Sequence, residues 1–220
     1  MFRLLTASVK TCNDSLMGRD GSSTRRNVLD AVGRIVTARG IEGIRIREIA
    51  AEAELSPGAV LYHFPDHAEL LHAVHADTVR RYVEGRIGAA RAPDSDPVGR
   101  LLAVLRAGVP PWANEHVIRL LYEMHGLARR SPRHAELLTQ LWRDEHALYV
   151  DIIDDGVAQG VFALDDATPE VAAGLLALED GLVLHRISNN TQMPSERVVA
   201  VFARVAAEQL RCPGIVAAAG

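Results

Sequence analysis

The sequence predicts an all-α protein of about nine helices, divided into a small N-terminal part and a larger C-terminal bundle. Three observations lead to this fold class. Apolar residues recur at offsets of three and four along most of the chain, as on one face of a helix. Proline, glycine and small polar residues stand where these segments begin and end. No segment shows the alternation of a β-strand, a glycine-rich phosphate loop or an internal repeat.

Composition places the chain among ordinary globular proteins. Of its 220 residues, 48% are hydrophobic and 24% are charged. The two cysteines, Cys12 and Cys212, have neither disulfide-framework nor metal-site spacing, and no apolar run approaches the roughly 18 residues of a bilayer span. We therefore expect a cytoplasmic protein with no membrane partner. The formal charge is −4, distributed unevenly between a slightly basic N-terminal part and an acidic remainder, and Lys10 is the only lysine among the 24 basic residues.

The N-terminal part opens with a segment that has no helical period. Residues 1–23 are expected to form a flexible extension. Thr24 is expected to cap the first helix, and Gly40 to end it in the left-handed conformation that glycine adopts without strain. The apolar face of this helix consists of Val28, Leu29, Val32, Ile35 and Val36.

Residues 44–64 predict two short helices joined by a tight turn. Ala50 is small enough to lie where the two helices cross. Ser56 and Pro57 have the residue types of an N-cap and of the first position of the second helix. The apolar contacts that hold the pair in place are expected from Ile46, Ile49, Ala53, Leu55, Val60, Leu61 and Phe64.

The second of these helices has the features of a recognition helix. Gly58 and Ala59 keep its first turn thin, which suits entry into a major groove about 12 Å wide. Tyr62 and His63 are expected on its outer side, where a hydroxyl and an imidazole can contact phosphates. The pattern predicts a helix-turn-helix, although an ordinary αα-hairpin would have similar small residues and caps.

Further helices follow at regular intervals. A fourth starts near Asp66, which has Glu69 three residues later in the form of a capping box, and runs to about Ala90. Residues 91–97 then have linker composition. The helices beyond the linker are expected at about 98–109, 114–130, 133–159, 169–187 and 194–210, with a flexible tail at 213–220.

Residues 24–77 resemble the DNA-binding domain of the TetR family of bacterial one-component transcriptional regulators. Thr24, Gly40, the REIAAEA and LSPGAVLYHF segments, and the PDHAELL start of the fourth helix carry the resemblance. The resemblance implies a homodimer whose two recognition helices enter successive major grooves of operator DNA. It implies DNA contacts from Thr24, Arg45, Arg47, Ser56, Pro57, Gly58, Ala59, Tyr62, His63 and His67. Two positions depart from the family pattern: Glu54 replaces the usual turn glycine, and His67 replaces a common lysine.

By the same resemblance, residues 78–212 are an effector-binding and dimerisation domain whose last two helices form the dimer contact. Their broad apolar faces agree with this role. A small-molecule effector of unknown identity is expected in a mostly apolar cavity with a few polar groups. The polar or aromatic candidates in apolar helical context are Trp112, Tyr122, Met124, His125, Trp142, His146, Tyr149, Glu179 and His185.

Other functions have weaker support in the sequence. The nine histidines include no zinc-binding spacing, so neither a metal nor another cofactor is expected. No nucleophile elbow accompanies the serines, histidines and aspartates, and an enzyme is not expected. The favoured function is a sequence-specific transcriptional regulator, a repressor released from its operator by the effector. The alternative is an all-α small-molecule-binding or enzymatic protein that does not bind DNA.

Overall fold

The computed structural model describes residues 10–41, 44–91, 96–111 and 114–220, with side chains from residue 21 onward. Within these ranges the chain forms ten helices and no strands, which confirms the all-α prediction. None of these helices is both long enough and apolar enough to cross a bilayer. The helices are α1 (Lys10–Arg39), α2 (Ile46–Glu52), α3 (Pro57–His63), α4 (His67–Ala90), α5 (Pro97–Ala107), α6 (Glu115–Ala128), α7 (Pro132–Ala158), α8 (Thr168–Ile187), α9 (Ser195–Gln209) and α10 (Gly214–Ala219).

The chain divides into two compact units, of which the first ends at Val74 and the second begins at His75. The division falls within α4, which is continuous from His67 to Ala90. The sequence placed the boundary slightly later, after residue 77.

Helix α1 begins at Lys10, well before the predicted start. The prediction that Thr24 is the N-cap is therefore wrong, because Thr24 lies inside the helix. The flexible extension predicted for residues 1–23 is likewise wrong for residues 10–23, while residues 1–9 lie outside the described part of the chain. This stretch has no proline, and a helix already nucleated gains a hydrogen bond with each added residue.

The first unit packs α1, α2 and α3 around a small apolar core. The predicted face of α1 is buried throughout, and Ala50 is 1% exposed where α2 meets its neighbours. At the end of α2, Asn27 donates a hydrogen bond from Nδ2 to the carbonyl oxygen of Ala53 at 2.7 Å. Gly40 ends α1 at φ +80°, as predicted. The core residues contributed by α2, α3 and the residues after them are Ile49, Ala50, Ala53, Val60, Phe64, Leu70 and Val74.

In the second unit, α5 to α9 surround one apolar core, with α7 and α8 packed along each other. Asp96 accepts a hydrogen bond from the Gly99 N–H at 2.7 Å and caps α5, while Pro97 occupies its first turn. A Cβ on Gly156 of α7 would lie 2.1 Å from the ring of Phe162, so this close packing requires glycine. Gly160, predicted to end α7, has φ +71°.

The last residues form α10, so the prediction of a flexible tail at 213–220 is wrong. Ile215 is fully buried, and α10 packs against α9 and α5. Arg106 of α5 also donates from Nη2 to the carbonyl oxygen of Ala219 at 3.1 Å. A six-residue helix is unstable alone, and its tertiary packing is what the sequence pattern could not reveal.

Candidate nucleic-acid interface and ligand cavity

The turn between α2 and α3 has the geometry that the sequence predicts. The Ser56 hydroxyl accepts a hydrogen bond from the Ala59 N–H at 3.1 Å, and Pro57 occupies the first position of α3. Glu54 has φ +56°, a left-handed conformation that favours glycine and costs a non-glycine residue about 1 kcal/mol. The turn thus keeps its shape despite a residue poorly suited to it.

The leading end and outer face of α3 are open to solvent. Ser56, Pro57 and Gly58 are exposed, and a Cβ on Gly58 would meet only the Ser56 hydroxyl, at 3.9 Å. Tyr62 is 83% exposed, and its ring meets that of His63 edge-on, with the ring centroids 5.2 Å apart. A protruding, thin helix end with a free phenol behind it is the shape that enters a DNA groove.

Leu61 corrects one part of the sequence analysis. It was expected to hold the helix pair together, yet it is 45% exposed beside Tyr62. Val60 and Phe64, which are fully buried, make that contact instead. On so short a helix, three consecutive large side chains cannot all face the core.

Some arginines of the first unit are engaged by other side chains of that unit. Arg34 forms an ion pair with Glu52 at 2.5 Å, and the guanidinium of Arg25 lies over the Phe64 ring at 4.9 Å. Arg45 and Arg47, by contrast, project from the start of α2 as exposed side chains. Exposed guanidiniums at this place are suited to bidentate contacts with phosphate oxygens.

Three further residues predicted to contact DNA lie on α4, α1 and α3. His67 is exposed at the first position of α4, whose start is capped by Asp66 accepting from the Glu69 N–H at 2.7 Å. Thr24 is half-buried on α1, and Ala59 is half-buried on α3.

The second unit contains a cavity of about 130 Å³ bounded by four helices. Its walls combine aromatic rings, aliphatic side chains and two carboxylates. They are Tyr82 of α4, Leu121, Tyr122 and His125 of α6, Leu138, Leu141, Trp142 and Glu145 of α7, and Asp180 of α8.

A buried charge cluster adjoins this cavity. Arg86 is 1% exposed and forms a bidentate ion pair with Glu179, through Nη1 to Oε1 at 2.5 Å and Nη2 to Oε2 at 2.8 Å. The Tyr149 hydroxyl donates to Glu179 Oε2 at 2.6 Å, and Arg86 Nη1 donates to the Tyr82 hydroxyl at 2.8 Å. Burial raises the pKa of both tyrosines well above the ordinary value, which keeps them protonated as donors.

Glu145 is the least compensated member of the charge cluster. Its Oε1 lies 3.2 Å from Arg86 Nη1 but makes no hydrogen bond. Burial raises the pKa of Glu145 to about 8, against the opposing effect of the Arg86 charge. The guanidinium of Arg86 therefore forms ion pairs with two buried glutamates, Glu145 and Glu179, but donates hydrogen bonds only to Glu179.

The predicted pocket residues are partly brought together. Tyr122, His125 and Trp142 line the cavity, while Tyr149 and Glu179 belong to the charge cluster. His146 stacks on Trp142 at 4.7 Å without lining the cavity, and Met124 is fully buried in the protein interior. His185 lies apart, exposed at the end of α8 beside Asn190. Trp112 lies outside the described residues.

The sequence analysis missed four polar residues of this region, namely Tyr82, Arg86, Glu145 and Asp180, and also the apolar wall residues Leu121, Leu138 and Leu141. The signal for Arg86 was its place among Val79, Val83 and Ile87, because a charged residue in an apolar run needs a buried partner. The partner, Glu179, is 93 positions away and could not be assigned from one sequence. Among the described residues, no group of three side chains suited to a metal ion occurs.

A three-helix unit with an exposed recognition helix, followed by a helical unit with its own polar cavity, defines a DNA-binding transcriptional regulator. Comparison with known proteins gives the family. Residues 28–74 match the model of bacterial regulatory proteins of the tetR family, and residues 97–211 match that of the C-terminal domain of BetI-type transcriptional repressors. The chain belongs to the TetR family of bacterial transcriptional regulators.

Individual relatives agree with this membership. The transcriptional regulator PksA of Bacillus subtilis is 30% identical over 191 residues, which cover 83% of this chain and 88% of PksA. A transcriptional regulator from Saccharomonospora viridis, solved in complex with choline, superposes with a TM-score of 0.77 at 22% identity, covering 85% of this chain and 96% of that one. A TetR-family regulator from a Rhodococcus species has a TM-score of 0.73 at 20% identity, with coverages of 86% and 99%. Both solved structures are similar in fold to this chain.

Proposed function

We propose that this protein is a dimeric repressor that leaves its operator when a small molecule occupies the cavity of the second unit. The observation that carries the proposal is the exposed leading end of α3, with Ser56, Pro57 and Gly58 free of cover and Tyr62 projecting behind them. A regulator of this kind acts on DNA in the bacterial cytoplasm and has no need of catalysis.

The residues divide into two roles on DNA. The thin end of α3 approaches base edges through Ser56, Gly58 and Ala59, with Pro57 fixing the start of the helix. Arginine, hydroxyl and imidazole groups around it contact phosphates and set the register. These phosphate contacts come from Thr24, Arg45, Arg47, Tyr62, His63 and His67.

The dimer contact is assigned to α8 and α9. Gly174, Ala177, Gly181 and Leu184 are all exposed, and their spacing places them along one side of α8. Leu184 is 49% exposed, so its apolar side chain is available to pack against a second subunit. Small residues beside it allow two helices to approach closely. The dimer would present two copies of α3 to successive grooves about 34–36 Å apart.

The effector site is assigned to the cavity at Tyr82, Tyr122, Trp142 and Glu145. The choline complex of the S. viridis regulator supports a small-molecule site in this fold. Helix α4 carries His67 at its start and Tyr82 and Arg86 towards its end. An effector that displaces Tyr82 and Arg86 would therefore act on the same helix that carries His67. The effector and the operator would then bind preferentially to different conformations of the dimer, so that binding of one lowers the affinity for the other.

Binding to a duplex that this protein selects from a random library tests the DNA-binding assignment. Fluorescence anisotropy as a function of salt gives both the affinity and the number of phosphate contacts. Tyr62→Ala and Arg45→Ala should weaken binding, and Arg45→Ala should reduce the salt slope by about 2 per dimer, one contact for each subunit. The control is Arg143→Ala, which removes an exposed arginine from α7 of the second unit.

The assignment predicts that the control keeps the parent affinity and slope. Equal losses in Arg45→Ala and Arg143→Ala would mean that these arginines act only through net charge. Unchanged binding in Tyr62→Ala and Arg45→Ala would show that α3 and the start of α2 do not face the DNA.

A further inference from the structure

Leu61 lies on the exposed side of α3, in line with the leading end of the helix. It is 45% exposed, whereas Val60 and Phe64, which hold α3 against the other helices, are fully buried. Side chains three and four positions apart lie on the same side of a helix. Leu61 therefore follows Pro57 and Gly58 one turn further along the side of α3 that is open to solvent.

The first turns of α3 contain no hydrogen-bonding side chain. The helix has the sequence PGAVLYH, so its polar side chains begin only with Tyr62 and His63. The Ser56 hydroxyl, just before the helix, accepts a hydrogen bond from the Ala59 N–H as the N-cap. Any preference that this end of the helix has for a particular base must therefore come largely from apolar contact.

Leu61 is the largest exposed side chain of this apolar end. Gly58 has no side chain and Ala59 has a single methyl group, so neither reaches as far as the branched side chain of Leu61. The base edges in the major groove present hydrogen-bond donors and acceptors, and thymine alone adds a methyl group, at C5. An aliphatic side chain gains free energy by covering that methyl group and loses it by covering a polar edge that is left without a partner.

We infer that Leu61 is a specificity-determining residue that selects a thymine in each half of the operator by packing against the C5 methyl group. This inference rests on the proposed function, because it requires α3 to enter the major groove of DNA. The three other bases lack the methyl group and would leave Leu61 against polar edges. A symmetric dimer presents two copies of Leu61 and so selects a pair of thymines related by the two-fold axis of the operator.

Replacement of thymine by uracil tests this inference, because uracil lacks only the C5 methyl group and keeps every donor and acceptor of thymine. The probe is the duplex that the protein selects from a random library, with each symmetric pair of thymines changed to uracil in turn. Fluorescence anisotropy gives the affinity for each duplex. For one such pair the wild-type protein should lose about fourfold in affinity for each half of the operator, or about fifteenfold in all, the usual effect of burying one methyl-sized group.

Three substitutions separate the contact of Leu61 from other effects of uracil on the duplex. Leu61→Ala should reduce the loss caused by uracil to less than about twofold, since little apolar surface remains to cover the methyl group. Leu61→Met keeps an aliphatic side chain of similar volume and should retain most of the loss. Val216→Ala, which shortens a 48% exposed side chain on α10 of the second unit, is the matched control and should retain all of it.

Two further conditions make the comparison sound. Low salt strengthens the binding of every variant, so that the weaker complexes stay within the measured range. Unfolding midpoints confirm that each variant is folded.

The absence of any uracil-sensitive pair of thymines in the wild-type protein would overturn the inference. A loss of the same size in Leu61→Ala as in the wild type would also overturn it, because the side chain would then have no contact with the methyl group. In both cases the wild-type protein still binds its selected duplex, so the proposed function stands. Failure of the wild-type protein to select any duplex would instead contradict the proposed function, and this inference with it.

Discussion

Replacing Glu145 by glutamine should change how the stability of this protein depends on pH. Burial raises the pKa of Glu145 from 4.5 to about 8 in the folded chain. A carboxyl group with a raised folded pKa stabilises the native state while it is protonated, and this contribution is lost as the pH rises through the folded pKa. The wild-type protein should therefore lose stability as the pH rises from about 4.5 to about 8, and measurements between pH 6 and pH 9 follow the later part of this loss.

The linkage relation gives the size of this loss. With pKa values of 4.5 unfolded and about 8 folded, the contribution is roughly 2–3 kcal/mol near pH 6 and close to zero near pH 9. The Glu145→Gln variant has no carboxyl group at this position to titrate. Its unfolding free energy should therefore increase, relative to that of the wild type, by roughly 2–3 kcal/mol between pH 6 and pH 9. The groups facing Glu145, namely Tyr82 and Arg86 from α4 and Glu179 and Asp180 from α8, are present in both proteins. Their own titrations largely cancel in the difference.

Urea unfolding followed by far-UV circular dichroism measures this difference, with the protomer concentration held constant because dimerisation contributes to stability. Glu136→Gln, at an exposed position of the same helix, is the control and should follow the wild type at each pH. A constant difference between wild type and Glu145→Gln, within about 0.5 kcal/mol across the interval, would refute the idea that Glu145 is buried in a protonated state.

Three further substitutions test local features by their effect on the unfolding free energy. Ile215→Ala should destabilise the protein by about 2–4 kcal/mol, because this side chain is fully buried. Val216→Ala, at the neighbouring position that is 48% exposed, should have little effect. Equal effects of the two substitutions would mean that α10 does not pack as described. Ser56→Ala should cost about 1 kcal/mol through loss of the cap, and Ser56→Thr should retain most of it. Glu54→Gly should stabilise the protein by up to about 1 kcal/mol at φ +56°, and a loss instead would show that the turn tolerates glutamate without strain.

The sequence was most informative where the determinants are local. The end of α1 at Gly40 and the cap by Ser56 follow from residue types within a few positions of one another, whereas the turn position of Glu54 was indicated only by the family resemblance. Helix periodicity likewise identified the buried face of α1. These features needed no knowledge of how distant parts of the chain meet.

The features that the sequence did not predict depend on distant contacts. The Arg86–Glu179 pair joins α4 to α8, and the cavity draws its lining from four helices. Periodicity places Arg86 and Glu179 on buried faces but does not indicate that the two faces meet. Ile215 illustrates the same limit, since a single apolar residue in a short segment does not reveal the core that receives it.

The buried Arg86–Glu179 ion pair has a consequence for which substitutions this protein can accumulate. Glu179 is held by both terminal nitrogens of the Arg86 guanidinium and by the Tyr149 hydroxyl, so removal of Arg86 would leave this buried carboxylate without its cation. Positions 86 and 179 are therefore expected to change together in evolution, whereas the exposed end of α3 has no such constraint and can change one residue at a time.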